Sequence, residues 1–418
     1  MNKYDVLIVG ASFSGLTLAH HLPNTLKTLI IDQKIRLDAA IESTGLITEK
    51  TKNMLEKFVD VNKFIPNRIT TIAVISPEYS KYFFSHTDSP WIYSTDTPNL
   101  VKEISVNLPS SVTFSLSTGL ISYEIQKGEE YPVKAKLRQN GQEVFVEAKC
   151  LVGADGSYSK VAAQHPELSK NKKFLLGFEK VFYGDIDLGD HSDETIYHFW
   201  FGEFSLGYGG WLSPTIINGK KAFRVGLAKM EKDKQDIKKL DTFIDILVEK
   251  KIVHIEPETK CLVSFGHPIP IGGLLKNYSS DHVLLIGDAA GFCGAFAADG
   301  IKGSLVSGLC AAELIPEYLK GNKNIFSKFY KNVESQSGLV TYYRKQLLYR
   351  WLWDKMKSDR TFHAMYDIIA REKDGFLHQF CDSKDKNKSL VRVVLKTKHF
   401  FYLIKYGCFV VYDMIFKR

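Results

Sequence analysis

The chain contains 418 residues, of which 44% are hydrophobic and 24% are charged. This composition is typical of a folded protein of two or three domains, and it excludes a disordered chain or a small disulfide-rich scaffold. The six cysteines are scattered without Cys-x-x-Cys spacing, so we expect no disulfide framework, no metal site and a reducing, cytoplasmic environment.

The net charge of +8 is unevenly distributed along the chain. Residues 340–418 carry 17 basic and 8 acidic side chains, so the basic excess lies in the last fifth of the sequence. This excess indicates either a solvated helical surface or contact with anionic lipid, where each basic residue contributes about 1 kcal/mol. We expect no nucleic-acid partner, because no recognised nucleic-acid motif accompanies the charge.

The first elements form a β-α-β unit. Residues 6–9 form an apolar strand, a helix follows and stops near Pro23, and residues 28–31 form a second strand that ends at Asp32. The chain enters its first strand almost at once, so we expect no signal peptide.

The loop after the first strand resembles a dinucleotide-binding turn. Gly10 and Gly15 occupy the first and third positions of Gly-x-Gly-x-x-Gly, and Ser12 replaces the middle glycine. Asp32, at the end of the second strand, is placed to hold a ribose 2′-hydroxyl. The loop therefore favours nucleotide binding over the alternative, an ordinary strand-to-helix turn.

Two stretches rich in apolar and aromatic residues, 69–95 and 174–228, predict antiparallel strands, with turns at Gly184, Gly189 and residues 207–210 and 218–219. The predicted fold class is α/β with an α+β insertion. It comprises an interrupted Rossmann-like nucleotide-binding domain, an antiparallel-sheet substrate domain and a helical C-terminal region. The expected segments are 1–66, 98–165 and 260–335 for the first domain, 67–97 and 166–259 for the second, and 336–418 for the third.

Two further turns follow predicted strands. They read Gly153-Ala154-Asp155-Gly156 and Gly287-Asp288-Ala289-Ala290-Gly291. An aspartate at the mouth of a parallel strand can accept hydrogen bonds from a polyol hydroxyl, and a following helix N-terminus offers free N–H groups. Asp155 is equally well explained as a turn residue that holds backbone N–H groups.

The three motifs, in this order, resemble flavoproteins of the glutathione-reductase-type FAD fold, in the branch that contains aromatic hydroxylases, flavin halogenases and geranylgeranyl reductases. The resemblance covers residues 6–315 and implies FAD as the cofactor. It also implies which residues bind FAD, with no catalytic residue assigned. They are Gly10, Ala11, Ser12, Phe13, Ser14, Gly15, Asp32, Gln33, Thr44, Gly45, Asp155, Gly156, Gly287, Asp288, Gly300 and Ile301.

Within this branch, residues 300–313 and 42–48 are similar to segments of geranylgeranyl reductases, as is the run from Gly207 to Pro214. Two positions depart from the pattern. Ser43 replaces a cysteine that many relatives carry, and Thr97 replaces an expected arginine, which could have paired with a phosphate or a carboxylate.

The resemblance implies an FAD-dependent oxidoreductase that reduces C=C bonds of a prenyl lipid or quinone. The alternatives are an FAD monooxygenase of an apolar or aromatic substrate, and a non-redox flavin enzyme or FAD-scaffold binding protein. The chain has no second glycine-rich unit that would bind a nicotinamide cofactor. The electron donor is therefore either NAD(P)H that binds transiently or a ferredoxin-like protein. Reduction of an alkene also needs a proton donor, for which the open candidates are His86, Tyr93, His198, Tyr208 and His267.

Residues 399–416 form a strongly aromatic C-terminal segment interrupted by Lys405 and Asp413. A bilayer-spanning helix needs about 20 apolar residues, so this segment is slightly short. Its helical spacing and flanking basic residues favour an interfacial helix on the inner face of a membrane. The alternative is a helix packed against the core of the protein itself.

Overall fold

The computed structural model of the chain describes residues 2–38, 43–200, 202, 207–230, 238–257, 261–382, 392 and 394–417. The strands are β1 Asn2–Val9, β2 Thr28–Ile31, β3 Leu46–Ile47, β4 Asn67–Ile69, β5 Thr71–Ile75, β6 Tyr82–His86, β7 Ile92–Ser94, β8 Val112–Ser115, β9 Thr118–Ile125, β10 Val133–Gln139, β11 Gln142–Gly153, β12 Phe174–Ile186, β13 Thr195–Phe199, β14 Gly207–Ile217, β15 Lys220–Met230, β16 Val253–Ile255, β17 Val263–Pro270, β18 Ser279–Ser280 and β19 Val283–Leu285. The helices are α1 Phe13–His21, α2 Glu49–Leu55, α3 Thr97–Val106, α4 Lys160–Gln164, α5 Lys238–Glu249, α6 Gly300–Leu319, α7 Phe329–Ser337, α8 Leu339–Trp353, α9 Asp359–Ala370, α10 Lys373–Asp382 and α11 Phe400–Phe416.

The first sheet has the strand order β18-β19-β11-β1-β2-β8, and its five strands from β19 to β8 are parallel to one another. Strands β9 and β10 extend it as an antiparallel branch. The central strands are continuous apolar runs, as expected for parallel strands buried on both faces. This arrangement confirms the predicted interrupted Rossmann-like fold, although β9 was not anticipated.

The two glycine-motif helices α1 and α6 pack against each other over this sheet. At Gly308 a Cβ atom would lie 2.7 Å from the carbonyl oxygen of Ser14 and 3.0 Å from the Cβ of Thr17. Only glycine permits such a close approach of two helix backbones. The Ser-Gly pattern of α6 therefore fixes the spacing between the first and third motifs.

The second sheet has the order β16-β12-β15-β14-β13-β5-β6, with β17 also paired to β12. Its pairs are antiparallel except β13 with β5. Because β17 belongs here, the expected boundary at residue 260 is wrong for residues 263–270. Their hydrogen bonds go to β12, and the first sheet is re-entered only at β18. The remaining domain boundaries stay a prediction.

Two of the four expected turns in this sheet are wrong. Gly184 lies within β12, whereas Gly189, with φ +91°, follows the end of that strand as expected. Residues 207–210 begin β14, and the irregular register between Gly207 and Gly210 marks a bulge in which Gly209 has φ +93°. The Asn218-Gly219 turn is confirmed, since both residues have positive φ (50° and 76°) and join β14 to β15 as a tight hairpin.

The C-terminal region is helical, as predicted, with α9 and α11 packed against each other. The sequence also indicates a break in this region near residues 382–387, which falls mainly outside the described residues. Asp413 of α11 is fully buried, and its carboxylate accepts hydrogen bonds from the backbone N–H groups of Lys357 and Ser358 and from the Ser358 and Thr361 hydroxyls. The residue that was expected to interrupt an apolar segment therefore attaches α11 to the start of α9.

Candidate functional site

A single cavity of about 1820 Å³ runs between the two sheets and under the C-terminal helices. Typical ligand pockets hold roughly 300–1,000 Å³, so this cavity has room for a dinucleotide and a second molecule. Of the sixteen residues expected to bind the cofactor, all line the cavity except Gly15, Gly45 and Gly287. The three motifs, distant in sequence, therefore meet at one site.

The end of β2 is joined to the first glycine loop by Asp32. One oxygen of its carboxylate accepts a hydrogen bond from the backbone N–H of Ala11 at 2.8 Å, and the other accepts from Lys34 N–H at 2.8 Å. A carboxylate has about four acceptor positions, so Asp32 keeps capacity for a ribose hydroxyl. Its two backbone partners also fix the carboxylate at the cavity wall.

The first glycine loop is held tightly against the second motif. Gly10 has φ +107°, and a Cβ atom at this position would lie 2.2 Å from the carbonyl oxygen of Ala154. Ser12 is the N-cap of α1, but its side chain makes no capping hydrogen bond. The first-turn N–H groups of α1 therefore lack that acceptor and face a cavity where an anion would be stabilised.

Asp288 lies in the 3₁₀ turn Gly287–Ala290 and faces the cavity. The Ser157 hydroxyl donates to its carboxylate at 3.4 Å, and the Asn171 amide donates to its backbone carbonyl at 2.8 Å. Burial raises the pKa of Asp288 to about 6, against the weaker opposing effect of the Ser157 hydrogen bond. A partly buried carboxyl with few donors is suited to receive hydrogen bonds from a polyol.

The position expected to carry arginine is enclosed. Thr97 is fully buried, and its hydroxyl contacts that of Thr95 at 2.9 Å, while the Thr95 hydroxyl donates to the carbonyl of Gly45 at 2.8 Å. A Cβ at Gly45 would lie 2.2 Å from the Thr97 hydroxyl oxygen. This threonine pair holds the segment that contains Ser43, and it leaves no space for an arginine side chain.

Apolar side chains form a large part of the cavity wall. They come from the second sheet and from the C-terminal helices. These include Ile72, Ile196, Trp211, Ala228, Phe265, Ile269, Trp353, Met356, Met365, Ile369, Leu403 and Tyr406. Sequence reasoning missed the contribution of α8, α9 and α11, because no motif marks those helices.

Comparison with known proteins decides the family. The sequence model of the FAD binding domain family matches residues 3–322 of the chain, which include all three motifs. The chain belongs to this family. It is an FAD-dependent oxidoreductase, and the resemblance drawn from the motifs is confirmed.

Relatives of this flavoprotein match it over most of its length. It is 24% identical to a digeranylgeranylglycerophospholipid reductase of Methanococcus aeolicus over 88% of the chain and 90% of the relative. It is 23% identical to the digeranylgeranylglycerophospholipid reductase 3 of Methanosphaera stadtmanae over 95% of the chain and 96% of the relative.

A solved structure shares the fold of the whole flavoprotein. The geranylgeranyl bacteriochlorophyll reductase-like protein of Thermoplasma acidophilum superposes with a TM-score of 0.79 at 17% identity, covering 98% of this chain and all of that one. The p-nitrophenol 4-monooxygenase of Pseudomonas putida superposes with a TM-score of 0.67 at 14% identity, covering 96% and 99%. Both similarities concern the fold alone.

The described residues fit FAD. The flavoprotein offers backbone N–H groups at the start of α1 for a pyrophosphate, and Asp32 and Asp288 for hydroxyl groups. At Gly300 a Cβ would lie 3.2 Å from an Asp288 carboxylate oxygen, so this glycine keeps the surface between the third motif and α6 open. These features form a polar part of the wall of a cavity that apolar side chains also line.

Two of the proton-donor candidates lie at the flavoprotein's cavity, namely His198 and His267. Burial lowers the pKa of His198 to about 4, so its imidazole is neutral at pH 7 and is not a cationic acid. His86 contacts the Thr71 hydroxyl and Tyr93 donates to Glu49, and neither lines the cavity. The side chain of Tyr208 lies outside the described residues.

Proposed function

We propose that this flavoprotein reduces C=C bonds in the isoprenoid chain of a prenyl lipid or quinone. The observation that supports this best is the large apolar part of the cavity wall, which belongs to the same cavity as Gly300 and Ile301 at the start of α6. A long hydrocarbon chain would bury its surface against these walls at roughly 25 cal/mol per Å². The names of the relatives in Methanococcus and Methanosphaera agree with a substrate of this class.

In this proposal, the motifs bind different parts of the cofactor. The first glycine loop and the start of α1 hold the pyrophosphate, Asp32 holds the adenosine ribose, and Asp288 holds the ribityl or pyrophosphate region. The first-turn N–H groups of α6 would stabilise negative charge on the bound flavin, as a helix N-terminus does. When reduced, bound FAD supplies the hydride.

The second carbon of the double bond needs a proton. Two of the described candidates line the cavity, and burial lowers the pKa of one of them, His198, to about 4, which leaves His267 as the candidate donor. We therefore assign the proton-donor position to His267. Its replacement by glutamine is expected to slow reoxidation of reduced flavin by an alkene while leaving FAD binding unchanged.

The proposed activity is tested by anaerobic single-turnover measurement. The purified protein is reduced with dithionite and mixed with a geranylgeranyl lipid, and flavin absorbance is followed. Reoxidation with a product two hydrogens heavier supports the reductase. Oxygen consumption stimulated by the lipid, with no anaerobic reoxidation, would instead identify a monooxygenase. The same signal, followed with NADH, NADPH or reduced ferredoxin, identifies the electron donor.

We further propose that the C-terminal region lies on the surface of an anionic membrane. By length and composition alone, one described helix, Thr397–Phe416, is long and apolar enough to cross a bilayer. However, this helix is tied to the protein at both ends. Glu372 accepts hydrogen bonds from Lys396 and His399 near its start, and Asp413 caps α9 near its end.

Between these attachments, α9 covers one side of α11. Arg360 lies 3.7 Å above the ring of Tyr412, and Arg371 lies 3.9 Å from the ring of Tyr402. The other side is exposed and apolar, with Phe401 81% and Phe416 67% accessible. A helix held flat in this way favours interfacial docking over spanning.

Vesicle flotation tests this docking. We expect binding to vesicles that contain phosphatidylglycerol, weaker binding to pure phosphatidylcholine, and loss of binding when Phe401 and Phe416 are both replaced by glutamate. The matched control is Val106→Glu, which changes an exposed apolar residue (69% accessible) on α3. Equal flotation of the double variant and the control would reject the docking face.

A further inference from the structure

Helix α8 contacts the loop that leads into α6. The fully buried side chain of Gln346 accepts hydrogen bonds from the backbone N–H groups of Phe296 at 2.9 Å and Ala297 at 2.8 Å. Its amide nitrogen donates to one carboxylate oxygen of Asp299 at 3.1 Å. One glutamine therefore holds the loop at three points, and it lies outside the family match to residues 3–322.

Two tyrosines of α8 complete the contact with Asp299. The Tyr342 hydroxyl donates to the second carboxylate oxygen of Asp299 at 2.7 Å, and the Tyr343 hydroxyl donates to its backbone carbonyl at 3.1 Å. The packing is close, since a Cβ at Gly294 would lie 1.9 Å from the Asp299 carboxylate and 2.5 Å from the Gln346 amide oxygen.

Asp299 is the N-cap residue of α6, yet its side chain makes no capping hydrogen bond. An aspartate at an N-cap ordinarily accepts from the N–H groups of the second or third helical residue. Here both carboxylate oxygens are engaged by α8 instead. As a result, the first turn of α6, which lines the cavity at Gly300 and Ile301, keeps its N–H groups available.

We propose that Gln346 and Tyr342 are positioning residues for the flavin: they hold the Asp299 carboxylate away from the start of α6, so that the helix N–H groups receive the flavin and not their own cap. Without these contacts, Asp299 would cap the helix and compete with the cofactor. Its negative charge would also oppose the negative charge of reduced flavin. This inference depends on FAD binding and not on the identity of the substrate.

The test uses Gln346→Glu combined with Tyr342→Phe. Glutamate keeps an acceptor for the N–H groups of Phe296 and Ala297, but it repels Asp299, and phenylalanine removes the second donor. We expect the dissociation constant of FAD from the apoprotein to rise about tenfold, which corresponds to 1.4 kcal/mol. The flavin midpoint potential should become more negative.

Adding Asp299→Ala to this variant separates positioning from general damage. If Asp299 is the competitor, its removal restores FAD affinity and potential towards the wild-type values. The matched control is Gln336→Glu on α7, which makes the same chemical change at an exposed position. Tyr342→Phe alone, a mild substitution, should raise the dissociation constant less than the double variant does.

Wild-type FAD affinity in the double variant would overturn the proposal, and so would a loss of affinity that Asp299→Ala does not restore. A failure to reduce lipids, with these binding results intact, would count only against the proposed reductase activity.

Discussion

The carboxylate of Asp413 in α11 accepts a hydrogen bond of 2.7 Å from the Thr361 hydroxyl in the first turn of α9. Through this contact, a buried charge joins the two helices whose exposed and covered faces define the C-terminal surface. Ser358, the N-cap residue of α9, donates to the same carboxylate through its backbone N–H at 3.0 Å. Asp413 therefore acts as a cap supplied from a distant part of the chain.

Replacement of Asp413 by alanine should lower the free energy of unfolding by about 2–3 kcal/mol at pH 7, because buried donors lose a charged acceptor. Burial raises the pKa of Asp413, but the hydrogen bonds from Lys357, Thr361 and Ser358 lower it by more. The pKa of Asp413 in the folded protein is therefore below the ordinary aspartate value. The stabilisation is thus present above about pH 4, the usual aspartate value. It is lost as the pH falls through the lower, folded-state pKa.

Urea denaturation at pH 7 and pH 3 measures this difference. Asp374→Ala, at an exposed position of α10, should change stability by less than about 0.5 kcal/mol. A difference between wild type and Asp413→Ala that stayed constant down to pH 3 would show that the charge is not the stabilising feature.

The sequence predicted the first sheet and the polar part of the cavity wall because these depend on local rules. Gly10 requires a positive φ, and Asp32 follows a buried strand. Each of these local requirements restricts the residue type at one position of a motif, and the motif can be recognised by its spacing. The family resemblance added the order of the motifs and therefore the cofactor.

The polar contacts made by the C-terminal helices were not predictable in the same way. Gln346 and Asp413 are polar residues in helices, and the sequence alone gives no sign that each is buried and directed at a loop or helix end distant in the chain. Asp413 was interpreted as an interruption of an apolar segment, whereas it is the attachment point. Long-range polar contacts of this kind depend on the tertiary structure.

Gly10→Ala should disrupt both the fold and the cofactor site. The added Cβ would lie 2.2 Å from the Ala154 carbonyl oxygen, and the backbone has φ +107°, which alanine rarely adopts. Because the obstructing atom belongs to the backbone, the first and second motifs must move apart. We expect a loss of about 2–4 kcal/mol in stability and at least about a tenfold loss in FAD affinity.

Thermal unfolding and FAD titration of the apoprotein check this prediction. The control is Gly407→Ala in α11, where no atom lies within 4 Å of the added Cβ. That substitution should leave FAD affinity unchanged. Unaltered FAD binding by Gly10→Ala would mean that the loop does not approach the cofactor.

Asp288→Asn should stabilise the apoprotein at neutral pH while weakening FAD binding. Because burial raises the pKa of Asp288 to about 6 in the folded chain, ionisation costs stability as the pH rises from about 4 to about 6. The amide avoids this cost, so the gain is about 1–3 kcal/mol above pH 6 and disappears near pH 4. Denaturation of flavin-free protein across this pH range measures it, and a gain that persists at pH 4 would contradict the assignment.

Arg224→Met should strongly lower the free energy of unfolding, because it breaks a buried ion pair in the second sheet. Arg224 lies 3.1 Å from a carboxylate oxygen of Glu179, and the indole N–H of Trp211 donates to the other oxygen at 2.9 Å. Glu179 is 1% accessible and Arg224 6% accessible, so removal of the arginine leaves a buried carboxylate with one remaining donor. Loss of one partner of a buried pair costs about 3–5 kcal/mol.

The double variant Glu179→Met with Arg224→Met distinguishes the contribution of the ion pair to stability from the contribution of side-chain packing. With both charges gone, no buried group lacks a partner of opposite sign, and the loss of stability should be smaller than in Arg224→Met alone. Urea denaturation of the four proteins in this cycle gives the coupling energy. Additive losses would mean that Glu179 and Arg224 stabilise the sheet independently and not through their contact.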